Sequence, residues 1–218
     1  MTQEKFGHLI FPSGTGGNHL RWLLFLDDRF YNPFGGQSLG EKIEFITTNV
    51  YANRSWNTWL EVEWKYRNQL DPILTVHHLI PYLTPWDKVL FLRSENPLTA
   101  ATHYMHINLG INSQTPDLLV KQIIQFNLDY IKVIDVPNSQ NKKAIKCDSM
   151  FAPVLDKDFY QEVIEFYGFS DNYNAAQKIH SMHHQCRVNS ARDFYNYFTG
   201  DQFSQHLENL RILGDLAV

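Results

Sequence analysis

Three groups of residues in this chain have the types and spacing to handle a polyanion. The stretch "IFPSGTGGNHLRWLL", Ile10 to Leu24, passes from an apolar run through Ser13, Gly14, Thr15, Gly16 and Gly17 into helix-forming residues. A strand, a small-residue turn and a helix make an anion cradle. Glycines let the main chain approach an oxyanion, and the N–H groups at the helix start point at it. Ser13 and Thr15 add hydroxyl donors. Arg93 closes the apolar run "KVLFLR", where a guanidinium can grip a phosphate with two parallel hydrogen bonds. "LTVHHLIP" offers His77 and His78, and an imidazole with its ordinary pKa of about 6.5 suits proton abstraction at neutral pH. Strand alternation sends the two to opposite faces, so only one faces a given crevice.

Other chemistries fit less well. The turn lacks G-x-x-x-x-G-K-[ST], which argues against an ordinary ATP or GTP hydrolase. In "HSMHHQC", His180 and His184 share a helical face and Cys186 is close. Position 181 is Ser, so H-E-x-x-H fails, and a closed zinc site needs a fourth ligand. A polar helix holding no metal is expected there. The formal net charge is −4 and no basic stripe appears, so no nucleic-acid partner is expected. The two cysteines, Cys147 and Cys186, make no disulfide framework and suit a reducing cytoplasm. "MTQEKFGHLIF" carries no apolar signal region, and no run approaches the roughly 20 residues that span a bilayer. A soluble, cytoplasmic protein with no membrane partner is expected.

Elements must bring these residues together. The 218 residues, 44% of them apolar, suit one α/β domain over 1–218 with a sizeable core. "KFGHLIF", "KIEFITTNV", "ILTVHHL", "KVLFLR" and "KKAIKC" read as strands. Helices are expected at Asn18–Asp28, Arg54–Arg67, Pro97–His106, through "TPDLLVKQIIQFNLDYIKVI", and at Asp158–Tyr167, Asn172–Cys186 and Gln202–Leu213. "YNPFGGQSLG" reads as loop. The alternation predicts a central, mainly parallel β-sheet flanked by helices. Ligands in such sheets bind at the carboxyl ends of the strands. The segments after "LIF", "ILTV" and "VLFL" should therefore converge on one crevice.

These segments resemble a known family. "FPSGTGGNHLRWLL" resembles the 5′-phosphosulfate loop of sulfotransferases that use 3′-phosphoadenosine 5′-phosphosulfate (PAPS), usually P-K-S-G-T-[ST]. Ser13, Gly14 and Thr15 match its S-G-T, Pro12 stands where a lysine or arginine is usual, and Gly16 stands at a frequent hydroxyl position. "DKVLFLRSENPLTAATHYMHI" is similar to the family's 3′-phosphate strand, an arginine followed by N-P-x-[DE] and then a helical serine. Arg93, Asn96 and Pro97 match after the insertion Ser94–Glu95, and the serine position falls at Thr102 or His103, with Thr102 chemically closer. "CRVNSARDFYNYFTGDQFSQHL" resembles the R-K-G-x-x-G-D-W-K-x-x-F-T loop, through Arg187, Asp193, Asn196, Phe198 and Thr199. "KCDSMFAPVLDKDFYQEVIEFYGF" is similar to the family's Y-E-D-L strand end and following helix, with Cys147 in place of an adenine-contacting tyrosine.

The resemblance implies a P-loop NTPase-like sulfotransferase architecture with PAPS as sulfuryl donor and no metal. Ser13, Gly14, Thr15, Gly16 and Gly17 would hold the 5′-phosphosulfate, and Arg93, Thr102 and Arg187 the 3′-phosphate. His78, which aligns with the histidine of a T-H-L-P-like segment, would be the catalytic base. The acceptor would be a hydroxyl or amine of a small molecule, glycan or peptide. Trp22, Trp56 and Phe194 are the nearest aromatics for adenine stacking or for acceptor walls. A catalytically weak nucleotide-binding module of the same fold, which has lost the loop lysine, is the first rival. A small-molecule or nucleotide phosphotransferase is the second. Oligomeric state is open.

Overall fold

The computed structural model describes residues 7–11, 15–32, 35–50, 74–77, 86–93 and 139–197. Four parallel strands build its sheet: β1 (Gly7–Ile10), β2 (Leu74–His77), β3 (Val89–Arg93) and β4 (Lys142–Lys146), in the order β2-β1-β3-β4. All four fall within runs that the sequence marks as strands. The register pairs Ile10 with His77 on one side and with Phe91 on the other, and Arg93 with Lys146. Alternate side chains point to opposite faces. Leu9, Leu90, Leu92 and Ile145 belong to the main core, while Ile10, Val89, Phe91 and Ala144 form a second cluster.

The main core is closed by helices α1 (Gly17–Leu24), α3 (Lys157–Tyr167) and α4 (Tyr173–Tyr197), through residues such as Leu20, Phe159 and Ile179. The Tyr167 hydroxyl donates to the His8 carbonyl over 2.8 Å and ties α3 to β1. Among the described residues no helix is long and apolar enough to cross a membrane.

"KIEFITTNV" is not a strand. It lies in helix α2 (Leu39–Phe45), which widens into a π turn over Ile46–Val50. The start is a capping box. Ser38 Oγ accepts from the Glu41 N–H and Glu41 Oε2 accepts from the Ser38 N–H. Lys42, Ile46 and Val50 then recur every four residues and are all buried. The β-branched residues mislead because their hydroxyls serve the helix: Thr47 and Thr48 both donate back to the Glu44 carbonyl.

One carboxylate fastens the far end of α1. Asp27 accepts from Arg29 Nε at 2.8 Å, Arg29 Nη2 at 3.1 Å, the Arg29 N–H at 3.0 Å and the Ser170 N–H at 2.6 Å. Burial alone would raise its pKa. The bonds from Arg29 and Ser170, with the Arg29 charge, outweigh burial and hold it below the ordinary carboxylate value. A depressed folded pKa means stability that is present above the unfolded value, about 3.9, and is lost as pH falls through the folded one. Asp27→Asn should cost about 2 kcal/mol near neutrality, because one charged acceptor becomes a neutral group with a surplus donor. Its stability curve should also be flatter below about pH 4 than the parent's, which urea melts across acid pH would check.

Candidate functional site

The strand order sets the place. From β1 the chain goes to β2 on one side and later to β3 on the other, so the sheet switches direction between β1 and β3. In open parallel sheets the ligand crevice lies at the carboxyl ends of the strands at such a switch. The turn after β1 and Arg93 at the end of β3 flank it. Arg93 lies two residues beyond the Ile10–Phe91 pair.

The turn enters α1 through Gly16, whose φ of 80° is left-handed, and its carbonyl accepts from the Leu20 N–H at 2.9 Å. Gly17 follows directly against the Phe11 ring, so close that a β-carbon there would fall 2.1 Å from Phe11 Cδ1. No side chain caps the start of α1 and no acidic residue sits in its first turn. The segment after β4 closes the third side. The Cys147 N–H donates to the Arg93 carbonyl at 2.9 Å, and Met150 packs beside Gly16. The carboxyl ends of β1, β3 and β4 thus meet around one point.

Two polar atoms there are buried without a hydrogen bond among the described residues: Arg93 Nε and Asn18 Oδ1. A half-buried guanidinium with an unsatisfied N–H is a standing cost, which an anion's oxygen would remove. Asn18 carried no signal in the sequence beyond its place after the glycines.

The residues singled out by sequence divide three ways. Thr15 and Gly16 lead into α1, Gly17 is its first residue and Arg93 is the last residue of β3, with Thr15 fully buried. Ser13, Gly14, His78 and Thr102 lie outside the described residues, as do Trp56 and His103. His77 is the last residue of β2, paired with Ile10 beside the turn.

Arg187 is the correction. It was expected in a loop after a helix ending at Cys186, but α4 runs unbroken from Tyr173 to Tyr197. Between Gly168 and Gly200 the chain has neither glycine nor proline, so nothing local ends the helix. Trp22 is also displaced from its expected role. It is fully buried in the core, edge-on to Phe25, and offers adenine no face.

No family model, curated protein or solved structure matches this chain.

The helix α4 runs antiparallel to α1. Asn172, just before α4, donates to the Leu26 carbonyl at the end of α1, while His180 and His183 meet His19 at its start. Arg187 follows His180 by seven residues and His183 by four.

The histidines are the largest departure from a polar helix. His19 is 1% exposed, His180 0% and His183 2%. The rings of His19 and His183 stack with centroids 3.7 Å apart and planes 7° from parallel. His19 Nε2 lies 3.2 Å from His180 Nδ1, and His180 Nε2 lies 2.8 Å from the Ala152 carbonyl oxygen. Among the described residues no three His, Cys, Asp or Glu side chains are arranged to hold a metal ion. Cys147 is buried, and burial with the Asp148 charge pushes its thiol well above the ordinary range. It is a core residue and a poor nucleophile.

Proposed function

We propose that the chain has the P-loop-like sulfotransferase architecture and transfers a sulfuryl group from PAPS to a hydroxyl or amine acceptor. One observation carries the reading: the uncapped glycine turn and Arg93, whose Nε has no hydrogen bond among the described residues, stand at the ends of neighbouring parallel strands, at the switch point. Ser13 to Gly17 hold the 5′-phosphosulfate by main-chain N–H groups. Arg93, with Thr102 and Arg187, holds the 3′-phosphate. The acceptor oxygen or nitrogen attacks sulfur in line, the bond from sulfur to the bridging 5′-phosphate oxygen breaks, and His78 takes the acceptor's proton. Negative charge that builds on the bridging oxygen is met by the amides of the turn.

Pro12 in place of the loop lysine favours a second reading, a nucleotide-binding module with weak or no turnover. Calorimetry with adenosine 3′,5′-bisphosphate, beside ATP with magnesium, separates the possibilities. The sulfotransferase reading expects micromolar or tighter binding of the bisphosphate and sulfuryl transfer from PAPS. Binding without transfer to any acceptor supports the module. Preference for ATP with magnesium defeats both and supports a phosphotransferase.

A further inference from the structure

We propose that Lys146 is a second cationic arm beside Arg93, and that the two grip one phosphate, the 3′-phosphate of the bound nucleotide, between them. This rests on reading Arg93 as the 3′-phosphate ligand. Arg93 is the last residue of β3 and Lys146 the last of β4, and the register sets them side by side. Residues paired in this way on neighbouring parallel strands lie about 4.8 Å apart and share a face of the sheet.

Alternation fixes which face. Val89 and Phe91 of β3 join Ala144 of β4 in the second apolar cluster. Arg93 follows Phe91 by two residues and Lys146 follows Ala144 by two, so both belong to that face. Cys147, the next residue along, is buried in the main core on the other face, and its N–H bond to the Arg93 carbonyl holds the two strand ends together. Like charges directly opposite one another destabilise a sheet. A phosphate between them turns that repulsion into two attractions, and it also meets the Arg93 Nε that bonds to nothing among the described residues. The other lysines of β4 are placed differently. Lys143 Nζ reaches Glu162 Oε1 at 2.8 Å, and Lys142 is paired with Val89 at the opposite end of the strand.

The two faces give the pair a specific meaning. Thr15 and Gly16 lead into α1, which packs on the main-core face, whereas Arg93 and Lys146 stand on the other. A ligand that touches both the turn and the pair lies across the carboxyl ends of the strands and carries an anionic group at each end. Adenosine 3′,5′-bisphosphate has that form and adenosine 5′-monophosphate does not. Lys146 is exposed, so water and salt screen its charge. Its loss should cost about tenfold in affinity, less than the loss expected at half-buried Arg93.

The test is calorimetry of the full chain with the bisphosphate, the 5′-monophosphate and inorganic pyrophosphate. Lys146→Met keeps the apolar stem and removes the charge. It should bind the bisphosphate about tenfold more weakly and the monophosphate as the parent does, and Lys146→Arg should restore most of the loss. Lys142→Met, on the same face of the same strand, should leave all three affinities unchanged. Acetic anhydride gives a readout that needs no variant: bound bisphosphate should slow acetylation of Lys146 but not of Lys142, as mass spectrometry would show. If the bisphosphate binds the parent and Lys146→Met equally, or if Lys146→Met loses both nucleotides by the same factor, the grip on the 3′-phosphate is overturned while the nucleotide reading stands. If pyrophosphate binds with the Lys146 dependence and the bisphosphate does not bind, the two-cation grip stands and the nucleotide reading falls. Binding of none of the three overturns both.

Discussion

Arg93→Ala should weaken binding of adenosine 3′,5′-bisphosphate by about 100-fold or more while leaving the empty protein almost as stable as before. The two expectations come from one feature. Arg93 Nε is buried and bonds to nothing among the described residues, so the unliganded fold carries the desolvation cost of that group, about 1–3 kcal/mol, without return. Removing it relieves the cost and loses some methylene packing, and the two nearly cancel. On the proposed reading, the same N–H faces phosphate in the complex. Truncating one side of a buried, hydrogen-bonded charge pair typically costs about 2–5 kcal/mol, roughly 30- to 4,000-fold in affinity. Arg93→Lys keeps the charge but loses the planar fork, so it should fall between the two. Calorimetry and thermal melts on the same preparations check this. If Arg93→Ala binds as the parent does, the guanidinium is not in the site. If it unfolds, the residue is structural and the cradle argument loses its second anchor.

The strands were legible because each is a short apolar run bounded by turn residues, and a parallel sheet buried on both faces demands that. Helix α3 was legible from its ends. Asp156 accepts from the Asp158 and Phe159 N–H groups, and Gly168 stops the helix with a φ of 72°. Helix α2 was hidden although its Ser38–Glu41 box is plain in the sequence, because "ITT" outweighed it as a strand signal. Helix α4 hid its buried face in a different way. Ala176, Ile179, His180 and His183 follow the spacing of a core stripe, but half of that stripe is histidine and reads as polar. Its partner His19 lies 161 residues from His180. No periodicity reports a contact at that separation, so the pairing that fixes α1 against α4 was beyond any local signal. The passage from β1 through Gly16 into α1 was readable because its parts are consecutive. The course of α4 past His183, and with it the position of Arg187, required the structure.

Gly17→Ala should destabilise the protein by about 3 kcal/mol, although helix propensity taken alone predicts a gain of about 1 kcal/mol from the same change. Gly17 is the first residue of α1, and its helical backbone would accept alanine without strain. The obstacle is Phe11. A β-carbon on Gly17 would lie 2.1 Å from Cδ1, 2.2 Å from Cγ and 2.5 Å from Cε1 of that ring. Phe11 is only 2% exposed and belongs to the main core, so the ring has nowhere to turn and the start of α1 must move off the sheet. Scanning calorimetry should show a midpoint lower by about 6–12 °C for a chain of this size. Gly16→Ala gives the contrast. Its β-carbon would meet only the flexible Met150 Cε at 3.4 Å, so its cost is the left-handed backbone, about 1–2 kcal/mol. The double variant Phe11→Leu with Gly17→Ala should recover part of the loss, because the clash is between those two side chains and not within the helix. A stabilised Gly17→Ala, or one that Phe11→Leu fails to relieve, would mean that the first turn of α1 does not sit against the end of β1, and the main-chain cradle would have no rigid wall behind it.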